Sequence, residues 1–158
     1  MLTVKIICIG KLKEAYWRDA CAEYARRLSP FCKFSIVELP ESRLPEDPGE
    51  GEIRRALEQE AQKIMEAVGN AVLFPLCIEG TQVDSPGLSK LIETAALSSS
   101  SIAFIIGSSF GLAPEVKAKG RQKLSMSKMT FPHQLARVML CEQIYRAFQI
   151  SSHSRYHK

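Results

Sequence analysis

A glycine- and serine-rich segment is the first candidate for chemistry. Residues 107–111 read Gly-Ser-Ser-Phe-Gly and match the G-x-S-x-G pattern, in which an exposed serine nucleophile follows a strand. A hydrolase that uses Ser109 is therefore one hypothesis. Glu142 and a later histidine, His153 or His157, stand in an order that permits a catalytic triad.

Two features count against the hydrolase. The tail that holds both histidines is polar and offers little to fix an imidazole within reach of the serine. The pattern also requires a helix directly after the nucleophile, whereas the expected helix begins only at Pro114. The same segment equally fits a loop of small residues that lets a ligand approach the backbone closely.

Several other chemistries lack a motif in the sequence. No Walker A segment, G-x-G-x-x-G fingerprint or zinc-ligand spacing occurs, so phosphate transfer, dinucleotide redox chemistry and metal hydrolysis have no support, and no metal is expected. The five cysteines are odd in number and scattered, which favours core thiols in a reducing compartment. Neither a signal peptide nor a membrane-spanning run is found, so we expect a cytoplasmic protein without a membrane partner.

Charge is distributed unevenly along the chain. Residues 1–116 hold 12 lysines and arginines against 16 acids, whereas residues 117–158 hold 9 basic residues against the single acid Glu142. A concentrated positive charge favours a polyanion such as nucleic acid. A solvated basic surface is the alternative interpretation.

The same cationic quarter contains pairs of side chains at helical spacing. His133 follows a proline at an expected helix start, where a lone histidine more often caps or packs than binds a ligand, and Arg137 lies four residues later on the same face. Glu142 and Arg146 have the spacing of an i,i+4 ion pair. The final segment, residues 155–158, combines cations, an aromatic ring and an imidazole, which suits stacking on an unpaired base, although tails are usually inert.

The elements that must position these residues alternate between strands and helices. The 158 residues match one domain, 1–158, in length. Apolar patterning and helix-start signals predict strands at 3–9, 34–38, 71–78, 101–106 and 123–126, and helices at 16–28, 52–68, 88–97, 114–118 and 132–150. Such alternation predicts an α/β fold with a mostly parallel sheet and helices on both faces.

In parallel sheets, ligands bind where loops leave the carboxyl ends of the strands. Three predicted loops qualify, at residues 77–85, 107–114 and 126–132. We therefore expect a ligand site at this edge of the sheet.

Three stretches of the last quarter resemble one family. They are Leu124–Arg137, with the sequence LSMSKMTFPHQLAR, Glu142–Ala147, with EQIYRA, and the final Tyr156-His157-Lys158. They resemble the ribosomal large-subunit methyltransferase H family, SPOUT-class enzymes that use S-adenosylmethionine to methylate N3 of a pseudouridine in 23S ribosomal RNA. The resemblance extends over essentially the whole chain, from the Ile9–Lys13 segment onward.

The resemblance implies a fold and a cofactor site that sequence patterns alone do not. The C-terminal portion would be threaded into a trefoil knot, which general rules of chain connection disfavour. The family works as a homodimer with the long C-terminal helix at the interface. The S-adenosylmethionine site implied in this chain comprises Leu76, Gly107, Met126, Ser127, Lys128, Met129, Thr130 and Phe131.

The remaining site residues would address the RNA. The hypothesis assigns catalytic contacts with the base and its phosphates to His133, Arg137, Tyr156 and His157, and RNA binding to Arg146, Arg155 and Lys158. Because the sulfonium methyl is already activated, correct positioning, worth roughly 7–11 kcal/mol, removes the need for a metal or a covalent nucleophile. His157 is a candidate acceptor for the N3 proton.

Two positions depart from the family pattern. Relatives usually carry an acid where this chain has Cys77 and a second glycine where it has Ser108, while Gly80 and Gly111 keep the pattern. A side chain at Ser108 is expected to restrict approach of the cofactor to the backbone. Beside the hydrolase, a non-catalytic ribosome-binding protein remains as an alternative function.

Overall fold

The computed structural model describes residues 1–157. Five strands alternate with five helices along the chain: β1 Thr3–Ile9, α1 Ala15–Leu28, β2 Lys33–Leu39, α2 Glu50–Val68, β3 Val72–Gln82, α3 Ser85–Ser98, β4 Ser101–Ile106, α4 Pro114–Lys119, β5 Leu124–Ser125 and α5 His133–Ser151.

The five strands form one parallel sheet in the order β2-β1-β4-β3-β5. Strand β1 lies between β2 and β4, with Thr3 opposite both Lys33 and Ser101. Strands β1 and β4 are buried runs of mostly β-branched residues, as expected for strands covered on both faces. The predicted α/β class is confirmed.

Helices cover both faces of this sheet. On one face α1, α3 and α5 pack through Cys21, Ile92 and Ile144 onto Val4 and Phe104. On the other face α2 and α4 pack onto the alternate side chains of β1 and β4 in a second apolar cluster. Because side chains alternate along each strand, the strands β1, β2, β3 and β4 contribute to both apolar cores, one on each face of the sheet.

The cysteines are part of these cores. All five are free thiols, four of them buried, and Cys77 is half-buried. Burial raises the pKa of the Cys8 thiol to about 12 and that of Cys32 to about 11. These thiols therefore stay protonated and serve as small apolar side chains.

Strand β3 is longer than the sequence predicts. It continues from the predicted end at Ile78 to Gln82, so the predicted loop 77–85 is wrong over most of its length. Its second half pairs with β5, with Thr81 opposite Leu124. This pairing needs Gly80, because a Cβ there would lie 2.5 Å from the Leu124 carbonyl carbon. An irregularity between Leu76 and Thr81 turns the intervening residues out of the ladder.

The chain after β4 returns across β3 before it enters α5. The Arg121 amide donates to the Leu73 carbonyl at 2.8 Å, and the Thr81 amide donates to the Lys123 carbonyl at 2.9 Å. Threading of this segment into a trefoil knot stays a prediction. Within residues 1–157, no helix is long and apolar enough to span a bilayer.

Candidate active site

A cleft of about 500 Å³ opens beside the irregular part of β3 and the carboxyl ends of β4 and β5, a size typical of small-molecule sites. It is lined mainly by this part of β3, by the segments after β4 and β5, and by the start of α5. Of the predicted cofactor residues, those on its wall are Leu76, Gly107, Met126, Ser127, Met129, Thr130 and Phe131. Lys128 is exposed beside this wall and is not among the lining residues.

The segment after β4 forms a tight turn. The Gly111 amide donates to the Ser108 carbonyl at 2.9 Å, and the two residues form an antiparallel bridge. A Cβ at Gly107 would overlap the Gly111 carbonyl and the Leu112 side chain. Only glycine at this position therefore lets the turn close on the floor of the cleft.

The serine at position 108 is accommodated by this turn. Ser108 has no positive φ, and its hydroxyl accepts a hydrogen bond from the Phe110 amide at 3.4 Å. Ser109 is exposed and forms no side-chain hydrogen bond to a histidine or carboxylate of residues 1–157. The next helix begins at Pro114. The serine-hydrolase hypothesis is therefore not supported.

The segment after β5 is held by its own serines. The Ser125 hydroxyl donates to the Ser127 carbonyl at 3.1 Å, and the Ser127 hydroxyl accepts from the Met129 amide at 3.0 Å. These bonds fold the segment into turns that line the cleft.

The mouth of the cleft carries exposed apolar side chains, and two of them, Ile78 and Phe110, were not predicted as site residues. Ile78 is 78 % exposed, Met129 71 % and Phe110 44 %, and all three line the cleft. A cluster of this kind marks a surface that contacts a ligand or a partner. Beside it Glu79 accepts a hydrogen bond from Lys117 at 2.6 Å, and this bond lowers the pKa of the Glu79 carboxyl.

Helix α5 connects the cleft with a second group of predicted residues. His133 opens the helix and lines the cleft, as does Ala136. Arg137 is buried instead: its Nη1 bonds Glu38 Oε2 at 2.6 Å, and its Nη2 donates to the Gly10 carbonyl at 3.2 Å. The structure thus brings His133 to the site and directs Arg137 toward the ends of β1 and β2. Contact of Arg137 with RNA stays a prediction.

The tail residues gather on the C-terminal half of α5. Glu142 forms the expected ion pair with Arg146, with Nη2 at 2.9 Å from Oε2. The Tyr156 hydroxyl donates to the same carboxylate at 2.9 Å. The pKa of Tyr156 is raised mainly by burial and also by this hydrogen bond. Arg146 also lies 4.8 Å above the Tyr156 ring and 3.1 Å from His157 Nδ1.

Within one chain, the cleft and the tail residues lie far apart. Arg146 follows His133 by 13 residues in α5, a distance of about 20 Å at the rise of an α-helix. No residue of 152–157 lines the cleft. Arg155 is exposed, and Lys158 lies outside the described residues.

The sequence matches one family over nearly its full length. A family model described as "Predicted SPOUT methyltransferase" matches residues 2–157. The fold and this match define the class of the protein as that of the SPOUT methyltransferases.

Curated relatives narrow the class. The chain is 46 % identical to the ribosomal RNA large subunit methyltransferase H of Streptococcus thermophilus, and the match covers 99 % of this chain and 100 % of that protein. It is 43 % identical to the protein of the same name from Streptococcus uberis and 42 % identical to that from Exiguobacterium sibiricum, with the same coverage. The chain therefore belongs to the ribosomal RNA large subunit methyltransferase H family.

Solved structures are more distant. Archaeoglobus fulgidus Nep1 bound to S-adenosylhomocysteine matches with a TM-score of 0.47 and 11 % identity, over 82 % of this chain and 69 % of that one. The SpoU methyltransferase AviRb from Streptomyces viridochromogenes, in complex with AdoMet, matches with a TM-score of 0.44 and 11 % identity, over 97 % and 61 %.

Proposed function

We propose that the protein transfers a methyl group from S-adenosylmethionine to N3 of a pseudouridine in 23S ribosomal RNA of the ribosome. The observation that carries the proposal is the cleft: in a chain of this family, seven of the eight expected cofactor residues line it. A ribosomal substrate implies that the enzyme works in the cytoplasm.

The residues of the cleft fit S-adenosylmethionine. Gly107 lines the cleft without a side chain of its own, so a ligand can approach its backbone closely. The backbone of the second half of β3 and of the segments after β4 and β5 would hold the cofactor, with the exposed apolar side chains Ile78 and Met129 at its edge. When bound, the cofactor supplies a methyl group on a sulfonium, already activated for attack by a nitrogen.

The protein's own part in this reaction is positioning. His133 stands at the junction of the cleft and α5, where it can meet a base that enters the cleft. Holding N3 in line with the methyl group and excluding water supplies most of the catalysis in such a reaction. The structure describes no cluster of potential metal ligands within residues 1–157.

A second copy of the chain would bring the tail residues to the cleft. None of the 19 residues of α5 is exposed, but Leu135, Met139 and Ile150 form an apolar stripe with Arg146 that is only half-buried within one chain, so this face of the helix is available for a partner. Two copies of α5 packed antiparallel about a two-fold axis would place the tail of one copy beside His133 of the other. We therefore propose a homodimer whose sites are each shared between two subunits.

The RNA would be held by the cationic side chains around this shared site. Arg155 is exposed, and Arg146 is half-buried beside Tyr156. Together they offer guanidinium groups for phosphates and a ring for an unpaired base.

Labelling with tritiated S-adenosylmethionine tests the proposal. Ribosomes that lack the modification are incubated with the protein, and the label is mapped in the RNA. We expect label on one pseudouridine of 23S RNA, and its absence there would contradict the proposal. Gly107→Ala should lose both labelling and cofactor binding by calorimetry, whereas the matched Ser108→Ala should keep both, because only the first places a Cβ against the Gly111 carbonyl.

A further inference from the structure

Glu142 is the centre of a hydrogen-bond network at the C-terminal half of α5. Its carboxylate accepts from Arg146 Nε at 3.2 Å and Nη2 at 2.9 Å, from the Tyr156 hydroxyl at 2.9 Å and from Gln143 Nε2 at 2.9 Å. Its side chain is only 19 % exposed. Glu142 is also the single acid of residues 117–158.

This network fixes the orientation of the Arg146 guanidinium. Two of its nitrogens donate to the carboxylate, and its Cζ lies 4.8 Å from the centre of the Tyr156 ring. A two-point contact of this kind sets the direction of the remaining nitrogen. That nitrogen, Nη1, lies 3.1 Å from His157 Nδ1.

The contact between Arg146 and His157 determines which ring nitrogen carries the proton. A guanidinium can only donate hydrogen bonds, so Nδ1 must accept and is unprotonated. The proton of the neutral ring is then on Nε2. A ring that carries its proton on Nδ1 would instead set two donors against each other at this distance.

We propose that Glu142, acting through Arg146, holds His157 as the neutral Nε2–H tautomer, so that His157 presents a hydrogen-bond donor to the substrate base. Glu142 is then a positioning residue. The use of the donor rests on the proposed function: N3 loses its proton to solvent water and bonds the methyl carbon as the carbon–sulfur bond of the sulfonium breaks. The negative charge of the deprotonated base is shared by the two carbonyl oxygens that flank N3, and an N–H directed at one of them stabilises it. His157 Nε2 in this tautomer donates and does not accept the N3 proton.

Nuclear magnetic resonance of the free protein tests the tautomer without any substrate. Long-range ¹H–¹⁵N spectra of ¹⁵N-histidine protein at pH 8.5 distinguish Nε2–H from Nδ1–H rings, and His157→Gln assigns the signal. We expect a pure Nε2–H ring in the wild type and a mixture of tautomers in Arg146→Ala and Glu142→Gln. The control Glu93→Gln, an exposed carboxylate on α3, should match the wild type. A mixture in the wild type would overturn the proposal.

The kcat of two variants distinguishes whether His157 acts as a hydrogen-bond donor or as a proton acceptor. A glutamine amide can donate but cannot take up a proton, so His157→Gln should keep roughly tenfold more kcat than His157→Ala, a difference equivalent to about 1.4 kcal/mol. Equal loss in the two variants would overturn the donor role. The spectrum of the free protein tests the tautomer without any substrate. If the protein did not methylate ribosomes, the proposed function would fail, but the spectrum would still decide the tautomer.

Discussion

At the scale of single residues, Glu60 is a buried carboxylate under the turn that follows β4. It is 3 % exposed; Oε2 accepts from the Ser42 amide at 3.0 Å, and Oε1 has no hydrogen-bond partner within residues 1–157. Burial raises the pKa of this carboxyl above its ordinary value of 4.5. The charged form is therefore less favourable in the folded than in the unfolded protein.

This shift predicts how stability changes with pH. The folded state binds the Glu60 proton more tightly, so the contribution of Glu60 to stability is present below pH 4.5 and is lost as pH rises through the folded pKa. Glu60→Gln should therefore unfold at higher urea concentration than the wild type at pH 8 and at the same concentration at pH 4. The exposed neighbour Glu58→Gln is the control, and identical curves for Glu60→Gln and the wild type would refute the expectation.

Arg137 links three elements through one guanidinium. It is 1 % exposed and bonds Glu38 and the Gly10 carbonyl, and Glu38 also accepts from the Leu12 amide at 3.3 Å. Removing one partner of a buried pair costs about 3–5 kcal/mol. The Glu38 side chain is 35 % exposed here, so we expect about 2–3 kcal/mol for Arg137→Ala.

Thermal unfolding measures this cost. The expected loss lowers Tm by about 5–10 °C in a chain of this size. Arg26→Ala, which removes an exposed ion pair with Glu23, is the matched control and should change Tm little. An unchanged Tm in Arg137→Ala would show that the bonds of Arg137 to Glu38 and Gly10 do not stabilise the fold. A shallower salt dependence of RNA binding in that variant would then support the predicted phosphate contact.

The two arginines of α5 illustrate what sequence reasoning can reach. The pair Glu142–Arg146 was predictable, because four residues along a helix place two side chains on one face. The pair Arg137–Glu38 joins residues 99 positions apart, and no local pattern indicates which strand end an arginine will meet. The contact of Tyr156 with Glu142 depends in the same way on how the tail folds back.

At the scale of elements, the close pairing of β3 with β5 depends on the absence of a side chain at Gly80. A Cβ at Gly80 would lie 2.5–2.8 Å from the Leu124 backbone. Gly80→Ala should therefore separate the strands and cost about 1–3 kcal/mol. Gly51→Ala, in the first turn of α2 with nothing within 4 Å of the added Cβ, should instead stabilise by up to about 1 kcal/mol.

Urea unfolding distinguishes the two glycines. We expect opposite shifts of the midpoint, together with weaker cofactor binding in Gly80→Ala, because β5 leads directly into the cleft wall. If both variants unfold like the wild type, the close approach of the two strands is not a constraint on this fold.

Elements were predictable where the local pattern and the tertiary environment agree. Strands β1 and β4 have the predicted bounds Thr3–Ile9 and Ser101–Ile106, because continuous β-branched runs favour buried parallel strands. The end of β3 was missed, since its polar, glycine-containing second half resembles a loop and pairs only because β5 arrives from a distant part of the chain.

At the scale of the whole molecule, the site consists of the cleft, which the sequence predicts in part, and the tail residues, whose position it does not predict. A ligand site at the carboxyl edge of a parallel sheet follows from a general property of the fold, and the loops after β4 and β5 line the cleft there. The tail group lies about 20 Å along α5 from His133, so a single chain does not explain how both act on one base. The proposed two-fold pairing of α5 resolves this separation.

A mixed dimer tests this central claim most directly. Gly107→Ala, which keeps its tail, is co-expressed with a differently tagged chain that ends at Ser154 and keeps its cleft, and the dimer carrying both tags is isolated. Each parent alone should be inactive on ribosomes that lack the modification. Because a two-fold dimer pairs each cleft with the other subunit's tail, the mixed dimer should recover about half of the wild-type rate. A mixed dimer as inactive as its parents, or the absence of any mixed dimer, would contradict the shared site.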